Sequence, residues 1–148
     1  MEAPTDVIDS SEGWVKKQID EYVATNGEKP RFNHGAPLVL ITYKGRKTGQ
    51  WRRTCLIGAE YEGSYLLVAS KGGAHDHPAW YPNLVEHPES WLQVGPNYFP
   101  VTARTATPAE RQARWDYMVT LWPDYAKYQT KTDREIPVVI LDPIPTAV

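Results

Sequence analysis

Hydrophobic positions along the chain follow two different periods, and the points where the period changes divide it into helical and strand-forming stretches. From residue 9 to 26, Trp14, Val15, Ile19, Tyr22 and Val23 recur at helical spacing, which predicts an amphipathic helix. Asp9 and Glu12 have capping-box spacing, and Gly27 offers a left-handed stop. From Leu38 to Tyr43 the chain is β-rich and almost continuously apolar, as expected of a buried strand. Gly45 and Gly49 punctuate a polar turn, and Thr54 to Tyr61 reads as the returning strand. Glu62-Gly63 predicts a hairpin turn into a strand from Tyr65 to Ser70.

Beyond Gly72-Gly73 a short helix is predicted from near Asp76, with Pro78 in its first turn and Trp80, Tyr81 and Leu84 within it. Trp91 to Val94 and Tyr98 to Thr105 flank the turn Gly95-Pro96-Asn97. Thr107-Pro108-Ala109-Glu110 combines an N-cap, a first-position proline and a capping glutamate. Trp115, Met118, Val119 and Trp122 then keep helical spacing up to Pro123, and Ile136 to Leu141 predicts a last strand. Strands that come as short hairpins favour an α+β fold with a mostly antiparallel sheet or barrel over a doubly wound sheet. Residues 1–30 form a helix and its lead-in, residues 31–148 the β-rich body, with no repeat or linker between.

Length and charge narrow the classes. A chain of 148 residues fits one domain, and a net charge of −2 gives no global field toward nucleic acid or an anionic membrane. The single cysteine, Cys55, allows no internal disulfide and suits a reducing cytoplasm. No basic region opens the chain, so no signal peptide is expected, and no run approaches the ~18 apolar residues of a membrane span. The N-terminal helix could still touch the inner face of the plasma membrane peripherally. Its polar face, which mixes Lys16, Lys17, Asp20 and Glu21, is weaker than a membrane anchor's.

Candidate chemistry concentrates in three places. Residues 44–53 hold Lys44, Arg46, Lys47, Arg52 and Arg53 with no acid, and Gly45 and Gly49 let backbone N–H groups approach an anion. Ser70-Lys71-Gly72-Gly73-Ala74 follows a strand and can hold a phosphate or carboxylate with side chain and backbone together. Trp122, Tyr125 and Tyr128 fall at spacings of three and can line a helical turn with stacking faces and phenol donors. Each also has a plainer reading, as a solvated hairpin tip, an ordinary loop or a packing cluster. His75-Asp76-His77 lacks a third metal ligand of characteristic spacing, so it reads as a polar helix entry and no metal site is predicted. Cys55 reads as a buried inert thiol, though Arg52 and Arg53 beside it could depress its pKa. With no Gly-x-Ser-x-Gly elbow and no Gly-x-Gly-x-x-Gly motif, a serine hydrolase and a Rossmann dehydrogenase are disfavoured.

The chain resembles the deazaflavin-dependent nitroreductase and quinone reductase family. Leu40-Ile41-Thr42, Gly45-Arg46-Lys47-Thr48-Gly49-Gln50 and Arg52 are similar to its signature turn. Ala69-Ser70-Lys71-Gly72-Gly73-Ala74 with Pro78, Trp80-Tyr81 and Asn83-Leu84 resembles its second motif. Pro123, Tyr125, Tyr128-Gln129, Thr132-Asp133-Arg134 and Ile136-Pro137 resemble its C-terminal segment. The resemblance implies a split β-barrel of the flavin-reductase type with flanking helices, which binds coenzyme F420 and passes a hydride to quinones or nitro-aromatic compounds. By the same resemblance Arg46, Lys47, Arg52 and Lys71 would meet the coenzyme's phosphate side. Thr48, Thr54, Cys55, Ala69, Ser70, Gly72, Gly73, Trp80 and Asn83 would complete its site, and Ser70, Tyr125 and Tyr128 would serve catalysis on the acceptor side.

Departures from the family pattern fall near the deazaflavin ring and on the acceptor side. Thr54-Cys55-Leu56 stands where the family commonly has Asn-Pro-Leu, and Ile57 and Trp122 replace two tyrosines of the nitro-drug-activating member. Quinones are therefore the expected acceptors ahead of bulky nitroimidazoles. A split-barrel flavin mononucleotide enzyme and a non-catalytic deazaflavin carrier share the same cationic turns.

Overall fold

Two hairpins set the order of the sheet in the computed structural model, which describes residues 2–30 and 32–145. Strand β3 (Ala36–Lys44) returns as β4 (Trp51–Ile57), and β7 (Glu89–Val94) returns as β8 (Asn97–Thr105). Antiparallel pairing of β3 with β7, Leu40 opposite Gln93 and Thr42 opposite Trp91, joins the hairpins. On the β8 side the ladder continues through β9 (Val138–Pro143), β6 (Ser64–Val68) and β5 (Ala59–Tyr61). At the other edge β1 (Val7–Asp9) runs parallel to β4, and the short β2 (Phe32–Asn33) pairs with β3. The result is an α+β fold with a mostly antiparallel sheet whose strand path is open.

The sheet curls strongly. A Cβ placed on Gly58 would lie 2.6 Å from Val39 and 3.1 Å from Leu67, side chains from β3 and β6. Three strands separate β3 from β6 along the ladder, so its concave face curves round a shared core of Val39, Ile41, Leu67, Leu92, Val101 and Val139. Helix α2 (Trp80–Glu86) adds Trp80 and Leu84 to this core. Helices α3 (Pro108–Leu121) and α4 (Asp124–Gln129) pack Trp115, Met118 and Tyr125 on Leu66, Val68 and Ile140. Helix α1 (Gly13–Ala24) packs Val15, Ile19 and Tyr22 on Leu38, Leu40 and Cys55. Alternate side chains of β3 thus enter two separate cores, which explains the unbroken apolar run in its sequence.

Several boundaries differ from the sequence expectation. Asp9 caps no helix; it lies in β1, where Arg53 donates to both carboxylate oxygens at 2.7 and 3.1 Å. Only Val15, Ile19 and Tyr22 of the expected apolar face are buried, while Trp14 and Val23 are 66% and 47% exposed. The strand expected from Thr54 to Tyr61 breaks at Gly58, which has no room for a side chain. Helix α2 starts at Trp80 rather than near Asp76, which places Pro82 in its first turn, where a missing N–H costs nothing. The last strand shifts to Val138–Pro143 because the Ile136 N–H donates to Gln129 Oε1 instead of joining the ladder. The capping box of α3 forms as its sequence predicts. Among the described residues no helix is long and apolar enough to cross a membrane.

One phenol ties α1 to the sheet. The Gly95 N–H in the β7–β8 turn donates to Tyr22 Oη at 2.7 Å, and the hydroxyl faces the Leu38 and Gln93 carbonyls at 3.2 and 3.4 Å. Replacing Tyr22 by Phe keeps the ring and strands a buried N–H, so we expect a loss of about 1–3 kcal/mol. Denaturant unfolding of the two proteins measures it; equal midpoints would show that the ring alone holds the helix.

Candidate functional site

The basic turn between β3 and β4 is held open by its own backbone. Gly45 N–H donates to Gln50 O at 2.7 Å and Gly49 N–H to Gly45 O at 2.8 Å, with Gly49 at φ +72°. Thr48 Oγ1 accepts from the Gln50 N–H at 3.2 Å. Helix α2 fixes the turn from outside: Asn83 Oδ1 accepts from the Arg46 N–H at 2.9 Å, while its amide donates to Ala79 O at 2.8 Å. Between them lies an open groove of about 290 Å³, with Arg46, Lys47, Thr48 and Arg52 on one side and Asn83 on the other.

Side-chain partners distinguish the arginines of this groove from the other described arginines. Arg53 is paired with Asp9, Arg104 with Glu110 and Asp142, Arg111 with Glu135, and Arg114 with Glu62. Arg134 donates to backbone carbonyls. Among the described residues no carboxylate pairs with Arg46, Lys47 or Arg52. Three cations without counter-charges, beside glycine backbone, suit a multiply charged anion. Arg53 leaves the predicted basic set, because strand alternation turns it to the α1 side of the sheet.

The second cationic turn is built differently. Lys71, Gly72 and Gly73 all have positive φ, of 46°, 63° and 86°. A Cβ on Gly73 would come within 2.6 Å of the Tyr128 carbonyl, so the turn is packed directly on α4. Arg134 grips it from below: its guanidinium donates to the carbonyls of Ala69, Ser70 and Ala74 at 3.1, 2.7 and 2.8 Å. Lys71 meets Asp76 at 2.9 Å, and that hydrogen bond holds the Asp76 carboxyl below its usual range. Both partners are largely exposed, so the pair adds little stability and exchanges readily. The His75-Asp76-His77 run is drawn apart by these contacts, Asp76 toward Lys71 and His77 toward Arg134.

Beside this turn stand the aromatics. Tyr125 is 5% exposed, between Trp115 and Tyr128 at ring separations of 6.2 Å each. Burial, reinforced by Tyr128, pushes its phenol well above the usual range. Tyr128 is half-buried and its hydroxyl accepts from Trp122 Nε1 at 3.4 Å. Arg46, Lys47, Thr48, Arg52 and Asn83 therefore share one groove, whereas the Lys71–Gly73 turn after Ser70 packs on α4, the helix that carries Tyr125 and Tyr128. Lys71 does not line the groove. Between the two, Trp80 is 7% exposed in the concave core, and Thr54 faces that core opposite Ile41. Ala69 is fully buried and contributes its carbonyl to Arg134. The clasping role of Arg134 has no local signature, since the backbone carbonyls it binds occur at every residue.

A curled antiparallel sheet carries at its rim a groove lined by Arg46, Lys47 and Arg52, and relatives of known chemistry give the class of the protein. The F420H(2)-dependent quinone reductase family model matches residues 14–143. F420H(2)-dependent quinone reductase Rv1261c of Mycobacterium tuberculosis, strain H37Rv, is 40% identical over 129 residues, covering 81% of this chain and 83% of that protein. A solved domain-swapped dimer aligns with TM-score 0.70 and 38% identity over 90% of this chain and all of the other. The solved F420-H2 dependent reductase FDR-A aligns with TM-score 0.67 and 45% identity over 72% of this chain and 94% of its own. The chain belongs to the F420H(2)-dependent quinone reductase family, and so to the oxidoreductases that use coenzyme F420.

Cys55 stands apart from the other candidates. Its side chain points into the α1 core with Val15, Ile19 and Leu40, on the face opposite Arg52 and Thr54. It therefore takes no side-chain part in the groove. Burial pushes the thiol up to about 12, and the neighbouring arginines do not offset it. Because desolvation penalises the thiolate, the folded protein should resist aromatic disulfide reagents near pH 8 and react fully once denatured. Stoichiometric labelling of the folded protein within seconds would place the thiol at the surface.

Proposed function

We propose that this chain transfers a hydride from reduced coenzyme F420 to a quinone, with nitro-aromatic compounds as a second class of acceptor. The observation that carries the reading is the set of cations without counter-charges, Arg46, Lys47 and Arg52, in a groove fixed by Asn83. Such a groove fits the phosphate and acidic tail of the coenzyme. Arg46 and Arg52 supply planar forks for phosphate oxygens, Lys47 a mobile charge, and the Gly45–Gly49 backbone close approach. The Ser70–Gly73 turn would bring Lys71 to the same ligand once Asp76 releases it. The contact between Gly58, Val39 and Leu67 supports reading the curled sheet as a split barrel, with α1 packed outside it and β1 joined to its edge. Trp14 and Val23, exposed on α1, support peripheral contact with the inner face of the plasma membrane.

When bound, the reduced deazaflavin supplies the hydride, so the protein's own work is positioning and electrostatics. Tyr125 keeps its proton across the physiological range, because burial disfavours its phenolate. It can act as a hydrogen-bond donor but not as a base. With Tyr128 and Ser70 it would face an acceptor oxygen as negative charge develops there, inside an aromatic cluster that excludes water.

Two measurements test these assignments. Arg46→Ala and Arg52→Ala should each weaken coenzyme binding roughly tenfold or more, the range for a lost charge-assisted hydrogen bond. The loss should shrink at high salt, because the groove is open to solvent. The quinone KM at saturating coenzyme should stay near that of the native protein. Equal affinities at low and high salt would leave the turn a solvated hairpin tip. In a Tyr125→Phe, Tyr128→Phe double variant the ring packing survives, and quinone turnover should fall on the order of tenfold or more. Unchanged turnover would reduce the two phenols to packing.

A further inference from the structure

The guanidinium of Arg134 satisfies four acceptors at once. Nε donates to Ala74 O, Nη2 to Ser70 O, and Nη1 to both Ala69 O and His77 Nδ1, the last at 3.1 Å. Its backbone is fixed in turn, since Gln129 donates to Arg134 O at 2.8 Å and accepts from the Ile136 N–H at 2.9 Å. The clasp bridges the end of α4 and the chain entering β9 to a turn 60 to 65 residues earlier. That turn needs holding. Three successive residues have positive φ, one of them Lys71, which carries a Cβ. Only two backbone bonds close it, Gly73 N–H to Ser70 O at 2.9 Å and Ala74 N–H to Lys71 O at 3.1 Å.

We propose that Arg134 is the positioning residue of the Ser70–Ala74 turn, and that His77 makes this positioning depend on pH. The inference rests on reading that turn as a coenzyme contact. An arginine donates only, so His77 Nδ1 must accept, and the ring is neutral in this arrangement. Protonation of His77 turns the acceptor into a donor and sets a second cation against the guanidinium, so the clasp loosens as pH falls. The groups facing His77 are Arg134, the Asp76 carboxylate with its partner Lys71, and the Tyr81 ring at 4.8 Å. Desolvation and Arg134 lower the His77 pKa, outweighing Asp76, so the neutral ring persists at neutral pH and is lost on the acid side.

The test compares the native protein with Arg134→Lys, His77→Asn and Lys71→Ala in equilibrium titrations with coenzyme F420. Amide exchange at Gly73 and Ala74 is followed in the ligand-free proteins. A lysine keeps the charge but cannot fork to four acceptors. Arg134→Lys should therefore weaken binding about tenfold or more and speed exchange at both amides. Asparagine offers a neutral acceptor in place of Nδ1. His77→Asn should match the native protein near pH 8 and escape a further weakening of about two- to fivefold near pH 5.5, the range for an exposed charge contact. Native affinity and native exchange in Arg134→Lys, with binding weakened in Lys71→Ala, would overturn the positioning role and leave the coenzyme reading intact. Unchanged affinity in Lys71→Ala would remove the coenzyme from this turn and overturn both. Should Arg134→Lys fail to fold, an acid response of His77→Asn equal to the native one overturns the proposal by itself.

Discussion

A strand with two dry faces cannot slip by one residue without exchanging one apolar set for the other. In β3, Val39, Ile41 and Tyr43 enter the concave core, while Leu38 and Leu40 meet α1, and both sets are almost fully buried. Its register against β4 and β7 is therefore fixed from both sides. That constraint fixes where Lys44 ends the strand, and hence where the turn carrying Arg46 and Lys47 leaves the body. The turn is exposed and polar, yet its base is anchored to the most buried strand of the molecule. Asn83 then ties its tip to α2, a helix whose Trp80 and Leu84 sit in the same core.

Charge is distributed with the same selectivity. Most described arginines have a carboxylate or carbonyl partner, and these contacts staple edges: β1 to β4 through Asp9 and Arg53, β8 to α3 through Arg104 and Glu110. Strand alternation separates Arg53 from Arg52 although they are adjacent in sequence. One goes to Asp9 on the outer face, the other to the groove beside Arg46. Uncompensated cations in one open groove repel each other only weakly in water, and an arriving polyanion relieves that repulsion while it gains hydrogen bonds. The groove therefore stands open without a carboxylate partner, whereas Lys71 is held by Asp76.

What could be read from the sequence was local. Glycines around residues 45–49 and 95–97 announced the two hairpins, Thr107-Pro108-Ala109-Glu110 announced α3, and clustered cations announced the groove. What escaped depended on distant partners. Asp9 has the spacing of a helix cap, but the bidentate bond to Arg53 draws it into a strand. Trp14 and Val23 have helical spacing, yet the surface beneath α1 is only wide enough for Val15, Ile19 and Tyr22. Cys55 alternates correctly with its neighbours, but two apolar faces leave no signal for which one meets the groove. Gly58 shows its meaning only when Val39 and Leu67 converge on it.

The two cationic turns solve one physical problem in opposite ways. Around Gly45 and Gly49 the backbone closes its own bonds, and one external hydrogen bond, from the Arg46 N–H to Asn83 Oδ1, completes it, so the loop is largely self-supporting. Around Gly72 and Gly73 the backbone is left-handed over three residues, and the carbonyls of Ala69 and Ala74 at its two ends take no donor from within the turn. Carbonyls left without donors are costly, and a single guanidinium from the C-terminal segment supplies Ala69 and Ala74 and adds a second donor to Ser70. The same segment carries α4, whose Tyr128 backbone presses on Gly73. Lys71 and the phenols of Tyr125 and Tyr128 are thus held by one structural unit, so a shift in the C-terminal segment would move the lysine and the two phenols together.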